Sequence, residues 1–162
     1  FNLDRIPRED WVSFIVARFN ATGKSISEAI AGRIADTADR YSYYVQQLAF
    51  HVWTSTASVA GEAEFQRGVD LLLASCEPTF IEQTVRLTNR QMNFLHALSD
   101  GLTSGFSEKA VLDHYDLTSS SNVIRVREAL LEKDMILQPA RGTVLLADPI
   151  LKLWLQRRVW PS

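Results

Sequence analysis

The stretch Thr22-Gly23-Lys24-Ser25 has residue types suited to phosphate chemistry. A P-loop ends in glycine, lysine and serine: its backbone N–H groups hold phosphates, and the lysine and serine side chains contact phosphate and Mg²⁺. A P-loop also needs a glycine five residues earlier, where this chain has Arg18, and it follows a buried strand rather than an amphipathic helix. We therefore interpret the stretch as a helix stop at Gly23 and a serine cap at Ser25, not as a phosphate site.

Other residues with catalytic potential are few and lie far apart in the sequence. His51, His96 and His114 have no partner at metal-ligand spacing, and Cys76 closes an apolar stripe, which predicts a core residue. No nucleophile, general base and oxyanion site come together. We expect no catalytic residue, no metal site and no cofactor in this chain, which is therefore not expected to be an enzyme by itself.

Tyrosines are concentrated at one predicted helix start, where Arg40 is followed by Tyr41, Ser42, Tyr43 and Tyr44. Free N–H groups at a helix start attract anions, and aromatic rings stack on planar ligands. The alternative is that Tyr43 and Tyr44 pack between helices with their hydroxyl groups outward. From these residues alone, packing is the better interpretation.

The first half of the chain, residues 1–86, is predicted to be a helical bundle. Apolar residues recur at helical spacing in four stretches, the first of which follows Pro7 and carries the stripe Trp11, Phe14, Ile15 and Phe19. The other three stretches begin at the Ser25–Glu28 capping box, at Ser42 and near Gly61. Pro78 is expected to stop the fourth helix, and a short helical turn over 80–85 follows it.

The second half, residues 87–162, is predicted to be a winged helix. Thr88 and Gln91 form a capping box that opens a helix, Ser107 is expected to cap the next, and a third follows the cap cluster 117–121. Two strands around residues 139–142 then form a hairpin with a basic tip. Asp148 and Pro149 begin a last helix. The predicted fold class is mainly α, a bundle followed by a winged helix with a small β-hairpin.

The third helix of the winged helix is the candidate reader of a DNA major groove. Its exposed polar residues, together with one residue on the hairpin, are Ser119, Ser120, Asn122, Arg125, Arg127 and Arg141. Acidic residues follow on the same helix, and residues 87–162 hold 9 basic and 8 acidic side chains, so little counterion release onto DNA is expected. We therefore favour a surface that faces protein or nucleotide over one that faces DNA.

Composition also limits the classes of protein. The 17 basic and 19 acidic residues give a net charge of −2, which argues against a general nucleic-acid binder. A single cysteine excludes an internal disulfide, and no apolar run approaches the roughly 18 residues of a membrane span. We expect a cytoplasmic protein without a membrane partner. The start at Phe1 is what a chain cut from a longer protein would have.

Several short motifs resemble one ATPase family. The run Phe1-x-Leu3-x-x-Ile6, continued by the stripe from Trp11 to Phe19, resembles the lid of archaeal-type, STAND-related AAA+ ATPases. The stretch 43–49 is similar to the end of that family's Gly-x-Pro-Tyr-Tyr-x-Gln helix start. Leu87-Thr88-x-x-Gln91 is similar to the opening of its winged helix, and Asp148-Pro149 with Trp154 is similar to its last helix.

The resemblance implies a lid that closes over nucleotide and a winged helix that responds to nucleotide state or contacts a partner. The P-loop, ATP and Mg²⁺ would belong to a preceding domain of the same parent, which would be this chain's first partner. The residues implied to face nucleotide are Arg40, Tyr41, Ser42 and Tyr43. Arg40 stands at the motif's glycine and Ser42 at its proline, so Arg40 is assigned a phosphate-sensing role from its charge and place.

Two hypotheses follow. The first is a non-catalytic lid and winged-helix module that acts as a nucleotide-dependent switch in a STAND-like ATPase. The alternative is a winged-helix transcriptional regulator that binds DNA and uses its helical bundle for an effector or for dimerisation. A protein partner or a homo-oligomer is left open by both, and an independent enzyme has little support.

Overall fold

The computed structural model describes residues 5–162, which are mainly α-helical with two short strand pairs. They divide into two compact units, one that ends at Pro78 and one from Thr79 to Ser162. The predicted fold class, a helical bundle followed by a winged helix, is confirmed. Phe1 and Leu3, which belong to the first resemblance motif, lie outside the described residues. No helix within residues 5–162 is both long enough and apolar enough to cross a membrane.

The first unit is a bundle of helices joined by turns and one pair of two-residue strands. In chain order its elements are α1 (Arg8–Ala21), β1 (Ser25–Ile26), α2 (Glu28–Thr37), α3 (Ser42–Thr54), β2 (Val59–Ala60) and α4 (Glu62–Val85), the last of which continues beyond Pro78. Gly68 on α4 is buried, and a Cβ there would lie 2.5 Å from Val52 Cγ2. A glycine at this position lets α3 and α4 approach closely.

The predicted apolar face of α1 is correct except at one residue. Trp11, Ile15 and Phe19 are buried, as their spacing predicts. Phe14 is 49% exposed, so the prediction that it belongs to the core is wrong. Its ring instead meets Trp11 edge-on, with 5.9 Å between the centroids, and lines an open groove. A residue three positions from a buried residue lies near the apolar face of the helix. That spacing does not ensure that another helix covers its side chain.

The two-residue strands β1 and β2 were not predicted. They pair in parallel with Ser25 opposite Val59 and Ile26 opposite Ala60. Because Ser25 is in a strand, the expected Ser25 cap is wrong. Ser27 caps α2 instead, and its side chain accepts a hydrogen bond from the Ile30 N–H.

Pro78 does not stop α4, which continues to Val85, so the predicted break and the separate turn over 80–85 are wrong. An interior proline removes one hydrogen bond and crowds the carbonyl four residues earlier, which disfavours the helix locally. Packing on each side of the proline opposes that cost. Leu72 and Leu73 are buried before it, and Phe80 is buried after it with its ring 5.7 Å from that of Trp154.

The second unit has the element order of a winged helix. After the end of α4 it contains α5 (Asn89–Ser99), α6 (Lys109–His114), α7 (Ser120–Glu132), β3 (Ile136–Ala140), β4 (Thr143–Leu146), α8 (Pro149–Trp154) and a π-helical turn (Leu155–Val159). The predicted capping box is confirmed: Thr88 Oγ1 accepts from the Gln91 N–H, and Gln91 Oε1 accepts from the Thr88 N–H. The Ser107 cap is wrong, because Glu108 occupies the N-cap of α6 and makes no side-chain cap bond.

The hairpin of β3 and β4 forms where it was predicted. Its strands are antiparallel with a bulge between Leu137 and Ala140, and Arg141 and Gly142 form its tip. Gly142 has φ +78°, a left-handed value that glycine adopts without steric cost. The Val144 N–H also donates to the Thr103 carbonyl at 2.8 Å, which attaches β4 to the loop between α5 and α6.

Asp148 is the N-cap of α8, and its side chain stabilises the start of that helix. Asp148 Oδ1 accepts from the N–H groups of Ile150 and Leu151 at 2.9 and 3.1 Å. We expect Asp148→Ala to lower the free energy of unfolding of the second unit by about 1–2 kcal/mol, because both donors lose their partner. Urea titration followed by tryptophan fluorescence measures it. Asp113→Ala, on the exposed surface of α6, is the control and should change stability by less than about 0.5 kcal/mol; equal losses would contradict the assignment.

Candidate functional sites

The loop between α2 and α3 has a strained backbone. Asp39 and Arg40 have φ of +48° and +57°, in the left-handed region that favours glycine. The Arg40 N–H donates to the Ala35 carbonyl at 2.9 Å, which closes the end of α2. Arg40 therefore adopts the conformation expected of a glycine, at the position where the resembled motif has glycine.

The start of α3 brings the predicted nucleotide-facing residues together. Tyr41 is the N-cap of α3, and it makes no side-chain cap bond. Ser42 is exposed and Tyr43 is 68% exposed, so Tyr43 does not pack between helices, whereas Tyr44 is half-buried. The rings of Tyr43 and Tyr44 meet edge-on at 5.5 Å.

Sequence reasoning missed Arg5 at this site. Its guanidinium lies 4.3 Å from the centroid of the Tyr41 ring and 2.9 Å from the Asp39 carboxylate. It also donates to the Asp39 carbonyl at 3.1 Å. Because Arg5 lies 34 residues before Asp39, no local pattern could have revealed the contact. The Arg5 guanidinium is thus held between the half-buried Tyr41 ring and the Asp39 carboxylate, and Arg40 lies between these two residues in the sequence.

The turn between α6 and α7 uses several polar residues that were predicted to face a partner. Ser119 caps α7 by accepting from the Asn122 N–H, and its hydroxyl lies 3.2 Å from that of Ser121. Asn122 Nδ2 donates to the Leu117 carbonyl at 3.0 Å. Ser119 and Asn122 therefore hold the turn, while Ser120 is exposed.

Side chains from α5 hold the same turn, which the sequence did not predict. Arg90 Nη1 donates to the Asp116 carbonyl at 2.6 Å and lies 2.7 Å from its carboxylate. Asn93 Nδ2 donates to the same carbonyl at 3.3 Å. Asp116 and Thr118 have positive φ, an uncommon conformation for a β-branched threonine. These bonds stabilise a strained turn in front of α7.

Three arginines of the winged helix have different exposure. Arg125 is exposed on α7, Arg127 is half-buried on the same helix, and Arg141 is exposed at the hairpin tip. The exposed surface around Arg125 is not uniformly basic, because Glu128 and Glu132 line the same shallow depression on α7. A mixed surface of this kind gives a weak electrostatic attraction to phosphate.

An aromatic and titratable cluster lies beside α5. His96 stacks on Trp160 with 4.3 Å between centroids and 11° between planes, and its Nε2 lies 3.6 Å from Asp100 Oδ2. The Tyr115 hydroxyl donates to the same carboxylate oxygen at 2.7 Å. Burial, and then the Asp100 carboxylate, raise the pKa of Tyr115 to about 12. The cluster fastens the C-terminal turn to α5.

The histidines and the cysteine, which were considered for catalysis and metal binding, do not come together in one site. His51 lies on α3, away in sequence from the other two, and partial burial lowers its pKa below the ordinary value. Within residues 5–162, no three His, Cys, Asp or Glu side chains are placed to hold a metal ion. Cys76 is half-buried, so its assignment to the core is wrong.

The stretch around Gly23 is a helix stop, as interpreted from the sequence. It follows α1 rather than a strand, Gly23 has φ +78°, and the Lys24 N–H donates to the Phe19 carbonyl at 3.0 Å. Lys24 Nζ donates to the Trp53 carbonyl at 2.8 Å and lies 3.8 Å from the centroid of the Trp53 ring. The lysine is therefore used within the bundle.

Comparison with known proteins supports this architecture. Residues 78–157 match a family model described as a probable winged helix domain. A solved Walker-type ATPase of Pyrococcus abyssi is similar over 94% of this chain and 42% of its own, with a TM-score of 0.71 and 14% identity. At that identity the likeness shows the fold alone, and the present chain spans less than half of that protein's length. The search of curated proteins gave no match.

Alkaline pH should destabilise the second unit through Tyr115. Its pKa rises from 10.0 to about 12 in the folded state, so the folded state holds the proton more tightly than the unfolded one. The resulting stabilisation is complete below pH 10 and is lost as pH rises toward 12. We expect Tyr115→Phe to show a shallower fall in the free energy of unfolding over this range than wild type. The exposed Tyr43→Phe is the control and should keep the wild-type slope; a wild-type slope in Tyr115→Phe would refute the linkage.

Proposed function

We propose that this chain is the non-catalytic lid and winged-helix module of a STAND-like AAA+ ATPase. The lid closes on a nucleotide held by a preceding P-loop domain of the same parent, and the winged helix transmits nucleotide state to a partner. ATP and Mg²⁺ belong to that preceding domain, and the location is cytoplasmic. The module works as a nucleotide-dependent switch.

The backbone at Arg40 is the observation that carries the proposal. The resembled family has glycine at this position, and glycine is favoured where φ is positive, as it is here at +57°. The loop therefore has a backbone conformation that glycine favours, and it carries a cationic side chain there. Arg40 offers a positive charge and the exposed Tyr43 offers a ring to an anionic, planar ligand, while the charge of Arg5 is already paired with Asp39.

The winged helix fits a role in contacting protein better than one in reading DNA. Ser119 and Asn122 already bond within the chain, and Glu128 and Glu132 lie beside Arg125. The hairpin carries Leu137 and Leu145, which are exposed and directly opposite each other. Apolar and mixed-charge surfaces are typical of protein interfaces.

ATP titration tests the proposal. We expect the isolated chain to bind ATP no more tightly than about 1 mM by calorimetry, because it has no phosphate-binding loop. The protein that includes the segment encoded upstream of Phe1 should bind ATP tightly, and that segment should contain a strand followed by Gly-x-x-x-x-Gly-Lys-Ser/Thr. Micromolar binding by the isolated chain, or a reading frame that opens at Phe1, would refute the proposal.

Arg40 is tested in the longer protein. Arg40→Ala and Arg40→Gly should each weaken ATP binding about tenfold, since both remove the cation. Because Arg40→Gly also relieves the left-handed backbone, equal losses in the two variants separate the effect of charge from that of backbone strain. Arg67→Ala, exposed on α4, is the control and should bind as wild type does. Wild-type affinity in both Arg40 variants would exclude the phosphate-sensing role.

The second candidate is a DNA-binding regulator, which the exposure of Arg125 and Arg141 favours. Fluorescence anisotropy with duplex DNA at two salt concentrations discriminates the two functions. Under the ATPase-module proposal we expect no Kd below about 10 µM at physiological salt, since Glu128 and Glu132 lie beside Arg125 and oppose phosphate binding. Submicromolar binding that Arg125→Ala and Arg141→Ala both weaken, with a reduced salt slope, would establish the regulator instead.

A further inference from the structure

An open apolar groove lies between α1 and α3 in the first unit. Its volume is about 530 Å³, and buried Ile15 and Phe19 contribute to its lining. Two exposed rings stand along it: Phe14 on α1 and Phe50, 56% exposed, on α3. The groove is also lined by Arg18, Thr22, Gln46 and Trp53. None of these residues belongs to the Arg40 site or to the winged helix.

One end of the groove is built rigidly. Trp53 Nε1 donates to Thr22 Oγ1 at 2.8 Å, and the Thr22 hydroxyl donates to the Phe19 carbonyl at 3.0 Å. Lys24 also contacts Trp53: its Nζ donates to the Trp53 carbonyl and lies over the Trp53 ring. Phe50 stacks on Trp53 with 23° between their planes. A preformed apolar wall loses little entropy when a ligand docks on it.

The spacing of the lining residues matches that of a helix. Phe14, Arg18 and Ala21 on α1 are separated by four and three residues, and so are Gln46, Phe50 and Trp53 on α3. Thr22 and Trp53 join the C-terminal ends of both helices, so α1 and α3 run in the same direction along the groove. Two such helices leave a furrow into which the ridge of a third helix can pack.

The charged side chain that lines the groove is positive. Arg18 is the charged side chain of its lining, and its guanidinium lies 5.5 Å from the centroid of the Phe14 ring. Within residues 5–162, Arg18 makes no salt bridge. The C-terminal ends of α1 and α3 carry partial negative charge and favour the positive N-terminal end of an opposing helix. In a symmetric dimer that pairs groove with groove, Arg18 would meet no acidic side chain, because the groove lining contains none.

We propose that this groove docks an amphipathic helix of a partner protein, running antiparallel to α1 and α3. Its apolar side chains at i, i+3 or i+4 and i+7 fill the space between Phe14 and Phe50. A carboxylate in its N-terminal half pairs with Arg18. The interaction needs no nucleotide and does not depend on the proposed function.

Fluorescence anisotropy without ATP tests this proposal. The probes are three labelled peptides of about 15 residues with one apolar stripe and with Glu, Gln or Lys on the flank of the first two turns. We expect affinity to fall in the order Glu, Gln, Lys, with about tenfold between the first and the last. Arg18→Glu should reverse the order. Arg67→Glu, exposed on α4, is the matched charge control and should preserve it.

Truncation of a ring tests the apolar contact. Phe50→Ala should weaken the Glu peptide about tenfold or more, and Leu71→Ala, which removes an exposed apolar side chain on α4, should not. Because Phe50 is exposed, circular dichroism should show an unchanged fold. Equal affinity for the three peptides, or no binding at millimolar concentration, overturns the proposal. So does a dimer in sedimentation velocity that Phe50→Ala dissociates, which would identify a second copy as the occupant.

Discussion

Side-chain oxygens at helix starts determine where the chain changes direction. Ser27, Thr88, Ser119 and Asp148 each accept a hydrogen bond from the backbone of the helix that follows. Without such an acceptor the first N–H groups of a helix have no partner within it. The position of α7 therefore depends on Ser119, and the return of the chain after the hairpin depends on Asp148. The surfaces proposed to face a partner are carried by these helices.

Caps and apolar periodicity were strong enough to predict most of the winged helix from sequence. Thr88 and Asp148 were recognised because the acceptor and the apolar residues behind it lie within one or two turns, whereas Ser119 was recognised only as a member of the cap cluster 117–121. The same local rule failed at Ser25, where a serine two residues later competes for the cap. What decides between them is the pairing of Ser25 with Val59, which lies far along the chain. A two-residue strand has no alternation that a sequence can display.

The remaining differences have a common cause, which is contact between residues distant in sequence. Pro78 is kept in a helix because Phe80 beyond it packs on Trp154. Arg5 reaches Asp39, and Arg90 reaches Asp116, across 34 and 26 residues. The types of residue at the Arg40 site were predicted, but its second cation was not. Around α7 the sequence predicted that Ser119 and Asn122 face a partner, and it could not show that both bond within the chain.

The short parallel pairing of β1 with β2 has a mechanical consequence for the bundle. It fastens the connection between α1 and α2 to the connection between α3 and α4, so the two helical hairpins are tied at that end as well as through their core. A bundle closed in this way resists shear between its hairpins and is displaced as one body. A force that displaces the start of α3 would therefore also displace α1, including the face of α1 that lines the groove.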